Sequence, residues 1–176
     1  MVSSAQHLDS RHAIDVAWSK LAAIPDPEIP VISIVELGVV RDVACEDGEI
    51  VVTVTPTYSG CPATEVIAED IQRALASSDL GRFRVQTRLQ PAWTTDWIAP
   101  AARERLRAYG IAPPGERAAA SPIDVSRLKR PVAVAISCPR CGSLSTKELS
   151  RFGSTPCKAQ YRCEDCLEPF DYFKPH

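Results

Sequence analysis

The chain has 176 residues, 45% apolar and 24% charged, with a formal net charge of −2. That composition belongs to a globular protein of one or two domains and excludes a wholly disordered chain. No run approaches the ~18 apolar residues of a membrane span. The first 18 residues lack the basic start and apolar run of a signal peptide, so a cytoplasmic location is expected.

In chain order, residues 10–23 are expected as a helix. Ala13, Ile14, Ala17, Trp18, Leu21 and Ala22 fall at helical spacing, with Ser10 as N-cap and Pro25 as stop. Pro25-Asp26-Pro27-Glu28-Ile29-Pro30 is an ordered loop, because three prolines fix φ and remove donors. A short apolar turn, 31–37, closes at Gly38.

A β-hairpin follows: Val39–Cys45, a turn over Glu46-Asp47-Gly48-Glu49, then Ile50–Thr55, with Ile50, Val52 and Val54 on one face. After the loop 56–61, Pro62 opens a helix at its favoured first position. Ala63, Val66, Ile67, Ile71, Ala74 and Leu75 make the apolar face, and Ser77, Ser78 and Gly81 end it. A third strand is expected over Phe83–Gln90, with Phe83, Val85, Thr87 and Leu89 alternating against Arg84, Gln86 and Arg88. Trp93 and Trp97 read as core anchors or as an aromatic docking surface. A short basic helix at 100–109 carries Arg103, Arg105 and Arg107. The Pro/Ala-rich stretch 111–131 reads as a linker. The expected domains are therefore 10–110 and 132–176, in an α+β fold.

Charge follows these divisions: −9 over 1–81, +6 over 82–130 and +1 over 131–176. The basic middle suits an acidic protein, a nucleic acid or an acyl-CoA phosphate, and equally a solvated arginine-rich face. The three histidines, His7, His12 and His176, lie at the chain ends. A di-iron carboxylate centre, an HExxH site and a Ser-His-Asp triad are thereby disfavoured. Nucleotide-binding and nucleophile-elbow glycine motifs are absent.

The seven cysteines are unevenly placed, five of them in the last 39 residues. An odd number without a signal peptide argues against a disulfide framework. Cys138-Pro139-Arg140-Cys141 and Cys163-Glu164-Asp165-Cys166 are two CxxC pairs 21 residues apart. Each brings two thiolates onto one ion, and together they complete a tetrahedron. Gly142 permits the positive φ of such a knuckle. The segment is too short for its own apolar core, so metal binding would supply folding energy. Structural zinc fits best, with a rubredoxin-like iron site, an iron–sulfur cluster or free thiols as alternatives. Cys157 is left as a buried small residue, a reactive thiol beside Lys158 or an alternative ligand.

Cys61 stands between Gly60 and the helix-opening Pro62. Unpaired helix N–H groups and the positive end of the macrodipole favour a thiolate there. That suits a soft-metal ligand or nucleophile, and it also suits a small capping residue with no chemistry. One cysteine cannot hold a cluster without a second ligand, a partner chain or an exogenous thiol.

Asp26-Pro27-Glu28, Leu37-Gly38-Val39-Val40 and Thr55-Pro56-Thr57-Tyr58-Ser59-Gly60-Cys61-Pro62 resemble the MIP18 (DUF59) family of iron–sulfur assembly factors. The segments 91–98, 109–114, 138–143, 152–158 and 168–173 are similar to the PaaD (PaaJ) family of phenylacetyl-CoA epoxidase systems. The resemblance covers residues 12–174. It implies a small α/β domain with a three-stranded sheet, joined to a C-terminal zinc ribbon. It also implies that Cys61 is the reactive or cluster-transfer thiol, with Asp26, Glu28 and Thr57 supporting its loop. Cys138, Cys141, Cys163 and Cys166 would hold structural zinc, and Cys61 would engage iron or an iron–sulfur cluster transiently. Expected partners are the reductase or oxygenase subunits of the epoxidase and the iron–sulfur assembly machinery. A homodimer would let two Cys61 thiols bridge one cluster. An enzyme with its own oxygen-activating ligands is not expected. A nucleic-acid-binding zinc ribbon and a small iron–thiolate electron carrier are the competing readings. The overall pI near 5.9 opposes the first of these.

Overall fold

The computed structural model describes residues 4–115 and 135–175, with side chains from residue 10 onward. Its contacts divide into two units, Met1–Ala102 and Arg103–His176.

In the first unit, α1 (Ser4–Ala22) packs against β1 (Val40–Glu46) and α2 (Ala63–Ala76). The helix begins six residues before the expected N-cap, so Ser10 lies inside it. The hairpin β1–β2 (Glu49–Val54) closes through Asp47 (φ 49) and Gly48 (φ 76). Positive φ at both turn residues matches the twist of the flanking strands.

The chain then crosses over through α2 to β3 (Arg82–Thr87), which pairs with β2 in parallel. The sheet order is β1-β2-β3. The central strand β2 is buried from Ile50 to Val54, not on alternate residues. A central strand covered on both faces needs a continuous apolar run. The third strand stops at Thr87, short of the expected Gln90, and leaves Leu89 54% exposed. Val66, expected on the apolar face of α2, is 44% exposed, while Ala63, Ile67, Ile71 and Leu75 carry the burial.

Trp93 is a core anchor: it is buried, and its indole N–H donates to the Leu37 carbonyl at 3.1 Å. Trp97, in the 3-10 turn Thr95–Trp97, is half-buried under the Arg41 guanidinium, 3.4 Å from the ring centroid. Gly38 has φ +77, and a Cβ there would lie 2.7 Å from the Trp97 Cβ. Only glycine meets both conditions.

In the second unit, a four-stranded sheet has the order β4-β7-β6-β5. Its strands are β4 (Ile111–Ala112), β5 (Thr146–Ser150), β6 (Lys158–Cys163) and β7 (Pro169–Phe173). Ile111 and Ala112, expected at the head of the linker, instead pair in parallel with Asp171 and Tyr172. Both are buried, which gives this small sheet apolar area that its own hairpins lack. The rest of the expected linker, from 116 to 131, lies outside the described residues, as do residues 132–134. The preceding helix, α3, runs Pro100–Tyr109.

One face of this sheet packs Ala112, Ile136, Cys138, Ala159, Cys163, Phe170 and Tyr172 into a core, with Tyr161 against it. Tyr161 stacks on Phe170 at 5.9 Å and meets Tyr172 edge-on at 5.6 Å. No helix among the described residues is long and apolar enough to cross a membrane.

Candidate functional site

The candidate site residues fall into two separate constellations, one in each unit. In the first, the Thr55 N–H donates to the Val39 carbonyl at 2.8 Å and fixes where the chain leaves the sheet. A turn then closes with the Cys61 N–H donating to the Tyr58 carbonyl at 3.1 Å. Pro62 is already helical, at φ −66 and ψ −24, and the Cys61 carbonyl accepts the Thr64 N–H at 3.2 Å.

Cys61 therefore stands just outside the carboxyl end of the parallel β2–β3 pair, at the start of a 14-residue helix. That is where α/β sheets place their sites. Its thiol is free and half-buried, and Thr57 in the same loop is also half-buried.

The acidic loop has an internal logic. Asp26 is 5% exposed, and its Oδ1 accepts the N–H groups of Glu28 (3.0 Å) and Ile29 (2.8 Å). Its own N–H donates to the Ile32 carbonyl at 2.9 Å. The carboxylate thus replaces the backbone bonds that the surrounding prolines forbid. The next turn is fastened by a capping-box-like exchange. Glu36 accepts the Ser33 N–H and hydroxyl, both at 3.0 Å, and donates its N–H to the Ser33 Oγ at 3.2 Å. That pair was not singled out from the sequence, although its S-x-x-E spacing is legible there.

In the second unit, four sulfurs converge. The ligand atoms of Cys138, Cys141, Cys163 and Cys166 all lie within 4.8 Å of one another. Cys138 and Cys166 are 3.7 Å apart at sulfur, and Cys141 and Cys163 are 3.5 Å apart. A tetrahedral site with metal–sulfur bonds of ~2.3 Å has edges of roughly 3.8 Å, so the residues fit a four-thiolate ion.

The two knuckles repeat one backbone pattern. Cys138 N–H donates to the Ser143 carbonyl at 2.8 Å, and Cys163 N–H donates to the Glu168 carbonyl at 3.0 Å. Each places a positive φ directly after its second cysteine, at Gly142 (φ 76) and Leu167 (φ 65). The Ser143 hydroxyl donates to Asp165 at 2.5 Å, and the Glu164 N–H donates to the Ser145 carbonyl at 2.8 Å, joining the knuckles.

The thiols are electrostatically unequal. The Cys166 backbone N–H first, with other hydrogen bonds, draws Cys163 down to about 7. Cys141 is pushed up to about 12: its backbone hydrogen bond with Ser143 opposes this, but the neighbouring thiols and burial outweigh it. One sulfur is thus ready to carry charge while its neighbour resists, a conflict that a central cation resolves.

Cys157 is not among the four. It is buried, and its sulfur lies 3.0 Å from the Thr155 hydroxyl. Among the described residues, no cluster of three metal-ligating side chains includes Cys61. The basic block does not form one face within a unit. Arg84 belongs to the first unit and pairs with Glu46 (2.6 Å) and Glu49 (3.2 Å). Arg103 and Arg107 belong to the second, where Arg103 donates to the Pro114 carbonyl and Arg107 pairs with Glu104.

Comparison with known proteins agrees with this division. Residues 15–85 match the family described as an iron–sulfur cluster assembly protein, and residues 123–174 match the PaaD zinc beta ribbon domain. A DUF59 domain of Bacillus anthracis, known from its crystal structure, is 26% identical. It superposes with a TM-score of 0.53, covering 57% of this chain and 96% of that one. The Fe-S protein maturation auxiliary factor YitW of Bacillus subtilis strain 168 is 36% identical over 88 residues, 49% of this chain and 85% of its own. The class of protein is therefore a DUF59-type iron–sulfur assembly domain joined to a zinc β-ribbon.

An Escherichia coli strain K12 protein, named as a subunit of 1,2-phenylacetyl-CoA epoxidase, is 48% identical over 157 residues. That match spans 89% of this chain and 90% of the relative. The chain belongs to that PaaD family.

Proposed function

We propose that this chain is an accessory, non-catalytic component of the phenylacetyl-CoA epoxidase system in aerobic phenylacetate breakdown. Its task is to help load the iron–sulfur cluster of the reductase or the metal of the oxygenase. The observation that carries this reading is the position of Cys61: a free, half-buried thiol at the strand-to-helix mouth of the domain that matches iron–sulfur assembly proteins. The cluster is cargo. Cys61 supplies one soft thiolate, and the remaining ligands come from a second copy, a small thiol or the receiving protein. Asp26, by fastening backbone N–H groups, fixes the loop it shares with Glu28, and Thr57 sits half-buried in the loop that leads to Cys61.

Cys138, Cys141, Cys163 and Cys166 would hold zinc as a resident structural ion, which supplies the folding energy of a unit with a small apolar core. The ribbon would present the chain to its client, in the cytoplasm.

The test separates loading from catalysis. Fully loaded reductase and oxygenase, mixed without this protein, are expected to epoxidise phenylacetyl-CoA at the full rate. A rate that rises with stoichiometric addition of the protein would instead make it a structural or electron-transfer subunit.

A further inference from the structure

The first unit keeps one sheet edge open. Among the described residues β3 pairs only with β2, so half of its backbone N–H and C=O groups point outward without a ladder partner. Folded proteins blunt such edges with charge, proline or bulges. β3 contains no proline, and its ladder to β2 runs without a shift. Its two arginines turn back toward the hairpin. Arg84 reaches Glu46 and Glu49 at 2.6 and 3.2 Å, and Arg82 donates to the Asp47 carbonyl at 3.4 Å.

Beside this edge runs a groove of about 680 Å³ between β3 and α2. Phe83 and Val85, both half-buried, form its apolar wall with Ala76, and Glu69 and Gln72 line the helix side. Arg73 and Arg84 also border it, but carboxylates hold both, Arg73 through Asp70 at 2.6 Å. Glu69 is exposed and has no counter-ion among the described residues. Counted with these partners, four carboxylates (Glu46, Glu49, Glu69 and Asp70) stand against two guanidinium groups at the groove. The whole unit, 1–102, repeats the imbalance, with 14 Asp and Glu against seven Lys and Arg.

An edge strand beside a helix is the geometry by which one protein adds an extended segment of another to its sheet. The groove also leads to the thiol. The crossover makes α2 run antiparallel to β3, so the start of α2 and the end of β3 both lie at the Cys61 end. Glu69 is eight residues past Cys61, about 12 Å along the helix. An extended segment covers that distance with about four residues.

We propose that the α2–β3 groove binds an extended basic segment of the epoxidase reductase as a fourth strand beside β3, and so leads the client's thiols to Cys61. Alternate apolar side chains of the segment pack on Phe83, Val85 and Ala76, and a lysine or arginine meets Glu69. The excess of carboxylates selects a basic segment and repels nucleic acid. The reductase is the component whose iron–sulfur cargo passes from one soft thiolate to others. The choice of the reductase rests on the maturation reading; the groove and its preference for a basic strand do not.

The probes are a synthetic octapeptide of alternating lysine and valine, the same peptide with glutamate for lysine, and the backbone-N-methylated form of the first. Each is added to the full-length, metal-loaded chain. The lysine peptide should bind, more weakly at high salt, and should protect β3 amides from hydrogen exchange. The other two should bind roughly tenfold more weakly or worse. Glu69→Lys should reverse the preference between the lysine and glutamate peptides, and Ala76→Trp should block both by filling the groove. Both positions are exposed, so both variants should melt like wild type. In cells, either variant should lower the iron–sulfur absorbance of the reductase. Equal binding of all three peptides, no binding, a self-association that Ala76→Trp abolishes, or full loading of the reductase by both variants would overturn the proposal. Cys61→Ser separates the two ideas, since it should bind the lysine peptide like wild type. If Cys61→Ser loads both epoxidase components normally, the maturation reading falls while peptide binding by the groove stands.

Discussion

Gly142 and Leu167 occupy the same place in the two knuckles of the ribbon, each directly after the second cysteine of its pair, with φ of 76° and 65°. The first sits where a residue without Cβ costs nothing. The second forces a γ-branched side chain into the same backbone conformation and leaves it exposed. Leu167→Gly is accordingly expected to leave the melting temperature of the metal-loaded ribbon unchanged or to raise stability by up to about 1 kcal/mol, whereas Gly142→Leu should lower it by about that amount. Calorimetry on the two variants checks the sign.

Gly38→Ala addresses the first unit. The added methyl would meet the Trp97 Cβ at 2.7 Å and its carbonyl at 2.8 Å, at a φ of +77 that alanine resists. A loss of about 2 kcal/mol or more is expected, because clash and backbone strain add. Chemical denaturation followed by tryptophan fluorescence would report it through Trp93 and Trp97. The metal content should not change, since the four sulfurs belong to the other unit.

Removing the metal, by chelation or by Cys163→Ser, is expected to unfold the ribbon and leave the first unit folded. Breaking the S4 set removes the ion that offsets four crowded thiols, and the remaining apolar cluster is small. Hydrogen exchange should show lost protection over β5, β6 and β7 and retained protection in β2 and α2.

Much of this architecture was legible in the sequence. Both helices of the first unit, the Asp-Gly hairpin and the two CxxC knuckles follow from local rules of periodicity, turn chemistry and ligand spacing. What local rules miss is long-range. The pairing of Ile111 and Ala112 with β7 joins residues about 60 positions apart, so a Pro/Ala-rich neighbourhood read as linker from its first residue. The early end of β3 reflects an edge position, where alternation through Leu89 carries no core to define it. Ser10 resembled an N-cap because residues 4–9 show weak apolar patterning, yet the helix continues through them.

Tyr161 supplies a test of the ribbon core at alkaline pH. Burial, then its contact with Glu148, raises its hydroxyl from the ordinary 10 to about 12. The folded state binds this proton more tightly than the unfolded state. Its contribution to stability is therefore complete below pH 10 and is lost as pH rises from 10 to about 12. Tyr161→Phe should flatten the fall in melting temperature over that window.

The central claim is that Cys61 acts by chemistry and not by structure, and cluster loading of the reductase tests it most directly. Serine is close in size to cysteine and is a good helix-capping residue, so Cys61→Ser should melt like wild type. Its hydroxyl is neither a soft-metal ligand nor ionised near neutral pH. Reductase made in cells carrying only Cys61→Ser should show little iron–sulfur absorbance. Normal reductase absorbance together with a normal metal content in the oxygenase would contradict the account.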